Sequence, residues 1–242
     1  MFTMEDLITI LMFTTLAGAA IPVGGLFARF EQLQPRWLEQ EFRHAVLAFG
    51  GGVLFAAVAL ILVPEGSKRL GSWVATGSFI IGGVVFMFLD RALAKHGTPA
   101  SNLTAALLDF APESIALGAL IASDPSLGIV LAFFIGLQNL PEGFNSYREM
   151  VDQGHMGVLK VLSILSVGAL IGPLCGVLGF LFLSDAPATT AVVMMFAAGG
   201  ILYLVFQDIA PQAKLSRHWA PPLGAVLGFA LGLIGEMMLV RQ

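Results

Sequence analysis

The chain has 242 residues, of which 57% are apolar and only 12% are charged. Soluble domains carry about 25% charged residues, and the mean hydropathy of this chain is +0.87. The composition excludes a soluble enzyme and a nucleic-acid-binding domain. A disulfide scaffold is excluded as well, because Cys175 is the single cysteine. What remains is an all-α polytopic membrane protein.

Long stretches without any charged residue divide the chain. Six of them are 17 to 24 residues long, and a membrane-spanning helix needs about 20. They cover residues 7–28, 45–64, 70–89, 161–184, 186–207 and 219–235. Two further apolar segments, 102–122 and 126–147, flank the turn signal SDPSLG. We therefore predict eight transmembrane helices in one domain covering residues 1–242, and we expect the first to be retained because its start, MFTMED, is acidic.

Basic residues predict the orientation, since Lys and Arg favour cytoplasmic loops. Nine of them fall on one side of the predicted membrane: Arg29, Arg36, Arg43, Arg91, Lys95, Arg148, Lys160, Lys214 and Arg217. Three fall on the other: Lys68, Arg69 and Arg241. We expect a multi-pass protein of the cell membrane with both termini outside the cytoplasm. The longest link, residues 30–44, fits either a surface helix or a loop.

Two pairs of segments within the chain resemble each other. DFAPES (109–114) pairs with QNLPEG (138–143), and residues 51–68 pair with residues 199–214. Each pair joins an even-numbered predicted helix to an odd-numbered one, so the copies cross the membrane in opposite directions. Such inverted repeats are typical of transporters, whose substrate site lies near mid-membrane where the repeats meet. For the longer pair, chance similarity of glycine-rich apolar sequence is the alternative.

Three carboxylates and an amide occupy the fourth and fifth predicted helices. Asp109 and Glu113 are spaced i, i+4, as are Gln138 and Glu142, so each pair projects from one helix face. A charged carboxylate near the centre of a spanning helix costs roughly 2.5–3.5 kcal/mol on the insertion scale. These side chains therefore need a compensating partner.

The compensation is not a basic residue of the same segments, because residues 97–147 contain no Lys or Arg. The remaining possibilities for the compensating partner are protons on the carboxylates or a bound cation. Pro112 and Pro141 favour the cation, since each lacks an N–H and frees a backbone carbonyl one turn earlier, a feature tolerated where it lines a cavity. Such oxygens suit a hard or borderline divalent ion. A structural core of protonated acids is the alternative.

These motifs resemble those of the ZIP (Zrt/Irt-like) family of divalent metal transporters. The fourth and fifth helices carry its HNxPEG-like motifs, and residues 48–66 and 197–211 are similar to its second and seventh helices. The resemblance implies eight helices, both termini outside, alternating access, a metal site between the fourth and fifth helices and a homodimer.

Taken position by position, the resemblance implies metal ligands from both motifs: Asp109, Glu113, Gln138, Glu142 and Asn139. Asp109 stands where the family usually has His. Two family ligands of a second metal are missing, because Phe110 replaces an Asn and Gly172 falls at the position of a sixth-helix Glu. We therefore predict a single-metal site made of oxygen ligands.

We expect the chain to import a divalent metal ion as its substrate. Carboxylate in place of imidazole should shift the preference away from softer ions, but Zn²⁺ still accepts Asp and Glu oxygens. Zn²⁺ therefore comes first, and Mn²⁺, Fe²⁺ and Cd²⁺ are alternatives. The ion is expected to enter near Glu65 and to leave near Asp90 and Asp208, although acids at helix ends are also common surface groups. The expected partners are the metal ion and the lipid bilayer, with no nucleic acid.

Two other classes of function fit parts of the sequence. An intramembrane enzyme would use the paired carboxylates on a peptide or lipid without needing metal. A non-transporting metal sensor would bind the ion without flux. Neither explains the repetition of one motif on oppositely directed helices, so we favour a transporter and expect no enzymatic activity.

Overall fold

The structure, a computed structural model, describes residues 4–31, 36–96, 100–213 and 220–239. Within these ranges eight helices are long and apolar enough to cross a membrane, and no strand is present. The all-α, multi-pass architecture is thereby confirmed. Lys214, Arg217 and Arg241, which contributed to the orientation, lie outside the described residues. The placement of the termini stays a prediction.

Five spanning helices are continuous: α1 (Met4–Glu31), α3 (Ser72–His96), α4 (Ser101–Ser123), α5 (Pro125–Asp152) and α8 (Ala220–Leu239). Three are built from segments. The segments of α2 are Arg36–Ala56, Ala57–Leu62 and Val63–Lys68. Those of α6 are Val158–Ala169 and Ile171–Leu183. Those of α7 are Pro187–Leu204, Val205–Ile209 and Ala210–Ala213. Residues 36–44, which the sequence left undecided, are the helical start of α2.

An inner group of four helices is surrounded by an outer group of four. In the most apolar window of α2, α4, α5 and α7, 61% of residues are buried, against 17–33% in α1, α3, α6 and α8. The outer faces are apolar too, as Ile80, Ile81 and Phe88 of α3 illustrate, because the surrounding solvent is lipid rather than water. The polar motifs of α4 and α5 therefore lie at the centre of the bundle.

The helix pairs follow an internal two-fold pattern. α1 packs along α5 and α4 along α6, while α2 packs along α8 and α3 along α7. If α1 is exchanged with α6, α2 with α7, α3 with α8 and α4 with α5, this set of pairs is reproduced. The packing therefore extends the two sequence repeats to all eight helices.

The long repeat also has a local structural signature. α2 and α7 each contain one π-helical segment, Ala57–Leu62 and Val205–Ile209. Each begins six residues after the first glycine of its repeat and ends two residues before a proline, Pro64 or Pro211. Because a proline ring clashes with the carbonyl one turn earlier, widening that turn relieves the strain. The two copies thus share a backbone irregularity at the same position of the repeat.

Glycines let α1 and α5 cross with their backbones in contact. A Cβ on Gly24 would overlap the carbonyl oxygen of Leu140, and a Cβ on Gly143 would overlap the carbonyl oxygen of Ile21. The same reciprocal contact joins α4 to α6 through Gly118 with Gly176 and Gly179 with Ile115. Small residues at helix crossings give close van der Waals packing where lipid supplies no hydrophobic driving force.

Candidate metal site between the fourth and fifth spanning helices

α4 and α5 bring the carboxylates of the two motifs together. Gln138 on α5 donates from Nε2 to Oε2 of Glu113 on α4, at 2.5 Å. Asp109 lies near Glu113, and Glu142 lies near both. The two i, i+4 pairs therefore face one another across the interface between these helices, as their spacing predicted.

Each predicted ligand carries one buried oxygen that accepts no hydrogen bond. These atoms are Asp109 Oδ1, Glu113 Oε1, Gln138 Oε1, Asn139 Oδ1 and Glu142 Oε2. Within the described ranges no Lys, Arg or His forms a salt bridge with the three carboxylates. A buried polar group without a partner costs about 1–3 kcal/mol, and more if it is charged. Five such oxygens on two neighbouring helices leave room for an electropositive ligand.

Asn139 has a different environment from the other four residues. Its Nδ2 donates to the backbone oxygen of Ala17 on α1, at 2.9 Å, and it is fully buried. The amide thus ties α5 to α1 next to the site. Of the five predicted ligands, Asn139 is the one whose side chain is already anchored outside the α4–α5 interface.

A cavity of about 70 Å³ reaches the site. Asp109 and Glu142 line it, whereas Glu113, Gln138 and Asn139 are fully buried and do not. An ion in this cavity would therefore meet Asp109 and Glu142 before it reached Glu113 and Gln138.

A second, larger cavity of about 440 Å³ continues from the first. Asn102, Asn145 and Asp208 line both cavities, and Arg43 and His44 lie in the wall of the larger one. Its walls come from residues 43–47 of α2, the first turn of α4 and the last turns of α5 and α7. In the predicted orientation this is the cytoplasmic side.

The three predicted pathway residues have different surroundings. Asp208 lines both cavities. Asp90 accepts a hydrogen bond at 3.1 Å from the hydroxyl of Tyr203 and lies near enough to Asp208 to repel it. Glu65 is at the opposite end of the bundle, where its carboxylate forms a 2.5 Å ion pair with Lys68.

The sequence reasoning missed Asn102 and Asn145. A spacing signal existed for both, since Asn145 follows Glu142 by three residues and Asn102 precedes Asp109 by seven. Both spacings place the asparagine on the same helix face as the acid. His44 also lines the larger cavity.

The donor atoms do not yet converge on one point. Among the described residues, no group of three or more His, Cys, Asp or Glu side chains is arranged to hold a metal ion. The Gln138–Glu113 hydrogen bond directs one carboxylate oxygen of Glu113 at an amide. Binding an ion at all four motif residues would therefore require side-chain rotation at this pair.

Phe110 fills the space between α4, α1 and α6 beside the site. It is fully buried, and a Cβ on Gly172 would overlap its ring and lie 2.8 Å from the carbonyl oxygen of Thr14. A larger side chain at position 172 would have to displace this ring. The aromatic ring thus fills the space into which a larger side chain at position 172 would extend.

Fold and site together define a class: multi-pass membrane proteins with inverted repeats around buried carboxylates that form no salt bridge among the described residues. Comparison with known proteins indicates a family within this class. The chain is 23% identical to the zinc transporter ZupT of Akkermansia muciniphila, over 94% of this chain and 96% of that protein. It is 25% identical to ZupT of Corynebacterium efficiens, with the same coverage. It is 24% identical to the zinc transporter ZIP13 of Pongo abelii, over 69% of this chain and 57% of that protein. No protein-family model matches. The relatives confirm the resemblance to the ZIP family.

Proposed function

We propose that the chain transports a divalent metal ion, with Zn²⁺ as the first substrate, into the cytoplasm. The observation that supports this most strongly is the set of five buried oxygens without hydrogen-bond partners on α4 and α5. Carboxylate and amide oxygens bind divalent cations, and Zn²⁺ accepts Asp and Glu. The relatives are named zinc transporters, which agrees with a transported metal and with the absence of a catalytic role.

The proposed ligands are Asp109, Glu113, Gln138 and Glu142. In the bound state Gln138 releases Glu113, so that both turn an oxygen toward the ion. Asn139 contributes by holding α5 against α1 through Ala17, and its free Oδ1 is a further donor.

The proposed route starts near Glu65, crosses the α4–α5 site and leaves through the two connected cavities past Asp208. Asp208 is part of both cavity walls, and Asp90 lies near it. Carboxylate oxygens along this path are donors that suit a divalent cation. We propose that residues 1–242 work as one transport domain, that both termini are outside the cytoplasm, and that two copies form a homodimer as the resemblance implies.

The test is radioactive Zn²⁺ uptake into proteoliposomes that contain the wild type or Glu142→Ala. We expect the variant to lose uptake by about tenfold or more, because removal of a cavity-facing ligand weakens the binding step. Glu5→Ala is the matched control, since Glu5 is an exposed carboxylate at the start of α1. Equal uptake by the wild type and Glu142→Ala would refute the site. Zn²⁺ binding without uptake by the wild type would favour a sensor over a transporter.

A further inference from the structure

The start of α4 is held by a side chain from α5. The backbone N–H of Asn102 donates to Oε2 of Glu149 at 2.8 Å. Glu149 is 47 residues further along the chain and only 8% exposed. This contact lies at the end of α4 that faces the larger cavity, two turns before Asp109.

A helix start needs such an acceptor, because its first N–H groups have no carbonyl one turn earlier. α5 has a local one: Asp124 precedes the helix and accepts from the N–H of Leu127 at 3.2 Å. α4 lacks it, since Ala100 stands at the corresponding position and provides no side-chain cap. The carboxylate of Glu149 also complements the positive end of the α4 dipole. The cap of α4 is therefore a bond between helices rather than within one.

Asn102, whose backbone N–H donates to Glu149, also forms part of the cavity wall. Asn102 lines both cavities between the larger opening and the carboxylates Asp109 and Glu142. Glu149 itself lines neither of them. Its contact with the pathway thus runs through the backbone of Asn102 and the position of α4.

We propose that Glu149 is a positioning residue that fastens the start of α4 to the end of α5. The bond fixes the spacing of the two helices that supply the metal ligands, so that Asp109 on α4 and Glu142 on α5 can both reach one ion. This inference rests on the proposed function, because it takes those residues to be ligands. Glu149 acts on them through helix position and does not bind the metal itself.

Three variants of the full-length protein, purified in detergent, test the proposal. Glu149→Ala removes the acceptor, and Glu149→Gln keeps an acceptor oxygen without the charge. Ala100→Ser in the Glu149→Ala background gives α4 a local cap without restoring the bond to α5. The measurements are Zn²⁺ affinity by calorimetry, per folded molecule, and hydrogen–deuterium exchange of the amides at residues 101–105.

We expect Glu149→Ala to exchange faster at the start of α4 and to bind Zn²⁺ about tenfold more weakly, as loss of an outer-shell contact does elsewhere. Glu149→Gln should stay close to the wild type in both. The double variant should recover exchange protection but not affinity, because a local cap does not fix the distance to α5.

Three results would overturn the proposal. If Glu149→Gln binds Zn²⁺ as weakly as Glu149→Ala, the charge of Glu149 sets the affinity and the hydrogen bond to Asn102 does not. If Ala100→Ser restores affinity, the end of α4 matters and the bond to α5 does not. If Glu149→Ala speeds exchange at residues 101–105 but leaves the Zn²⁺ affinity unchanged, the role is only structural. A wild type that binds no Zn²⁺ would instead refute the proposed function, and the exchange data would still show whether the bond exists.

Discussion

Gln138 and Glu113 are joined by a 2.5 Å hydrogen bond that crosses from α5 to α4 within the membrane. A neutral amide is thus the hydrogen-bond partner of a buried carboxyl group that has no salt bridge among the described residues. This hydrogen bond therefore stabilises the helix bundle when the proposed metal site is empty.

Gln138→Leu should destabilise the metal-free protein by about 1–3 kcal/mol, since it leaves Oε2 of Glu113 buried without a donor. Unfolding in detergent, followed by circular dichroism, measures this. Gln207→Leu is the control, because Gln207 is exposed on α7 and its loss should change the stability by less than about 0.5 kcal/mol. Similar values for the two variants would contradict the role of the hydrogen bond.

Gly143→Ala should lower the unfolding free energy by about 1–3 kcal/mol through overpacking. Its added methyl group would overlap the carbonyl oxygen of Ile21, where α1 and α5 cross. Gly77→Ala on α3 is the matched control, since an added Cβ there meets nothing within 4 Å. Thermal unfolding of both variants distinguishes them, and a Gly143→Ala protein as stable as Gly77→Ala would show that the crossing is not tight.

One Zn²⁺ per chain should bind to the purified wild type, because Phe110 occupies the space beside Gly172, the position at which the family resemblance puts a further ligand. Native mass spectrometry or metal analysis after equilibrium dialysis gives the stoichiometry. Glu142→Ala should lose this ion, which separates site binding from adventitious binding. Two ions per wild-type chain, both lost in that variant, would show a binuclear site.

Cysteine labelling can decide the orientation. In a Cys175→Ser background, Gly157→Cys in the α5–α6 link should react with a membrane-impermeant thiol reagent only from the cytoplasmic side, and Gly71→Cys in the α2–α3 link only from outside. Added side chains at both glycines meet nothing within 4 Å, so neither variant disturbs packing. Labelling with the sides reversed would invert the topology and the proposed direction of transport.

The eight helices and the pairing of the α4 and α5 motifs were predictable from sequence for a physical reason. Charge is so costly in lipid that uncharged stretches mark the spans. The i, i+4 spacing fixed the faces of Asp109, Glu113, Gln138 and Glu142, because a helix turn has 3.6 residues.

Other features could not be predicted, because they depend on how neighbouring helices pack. The rotation of α5 directs Asn139 to Ala17, which one sequence does not indicate. Glu149 and Asn102 are far apart in sequence, and nothing local pairs them. The π segments replace i→i+4 hydrogen bonds by i→i+5 hydrogen bonds without a change in hydrophobic pattern. Pro64 and Pro211 are the sequence features that accompany them.

The extra residue in the π segment of α2 has a consequence for the whole helix. Its first part packs on α8, where Gly52 contacts Ala225, while its last segment packs on α7, where Gly66 lies against Met195. One residue more or less turns the following helix by about 100° and shifts it by about 1.5 Å. The π segment therefore rotates the last part of α2, so that this part packs on α7 while the first part packs on α8. A single-residue deletion within 57–62 would turn Gly66 away from α7.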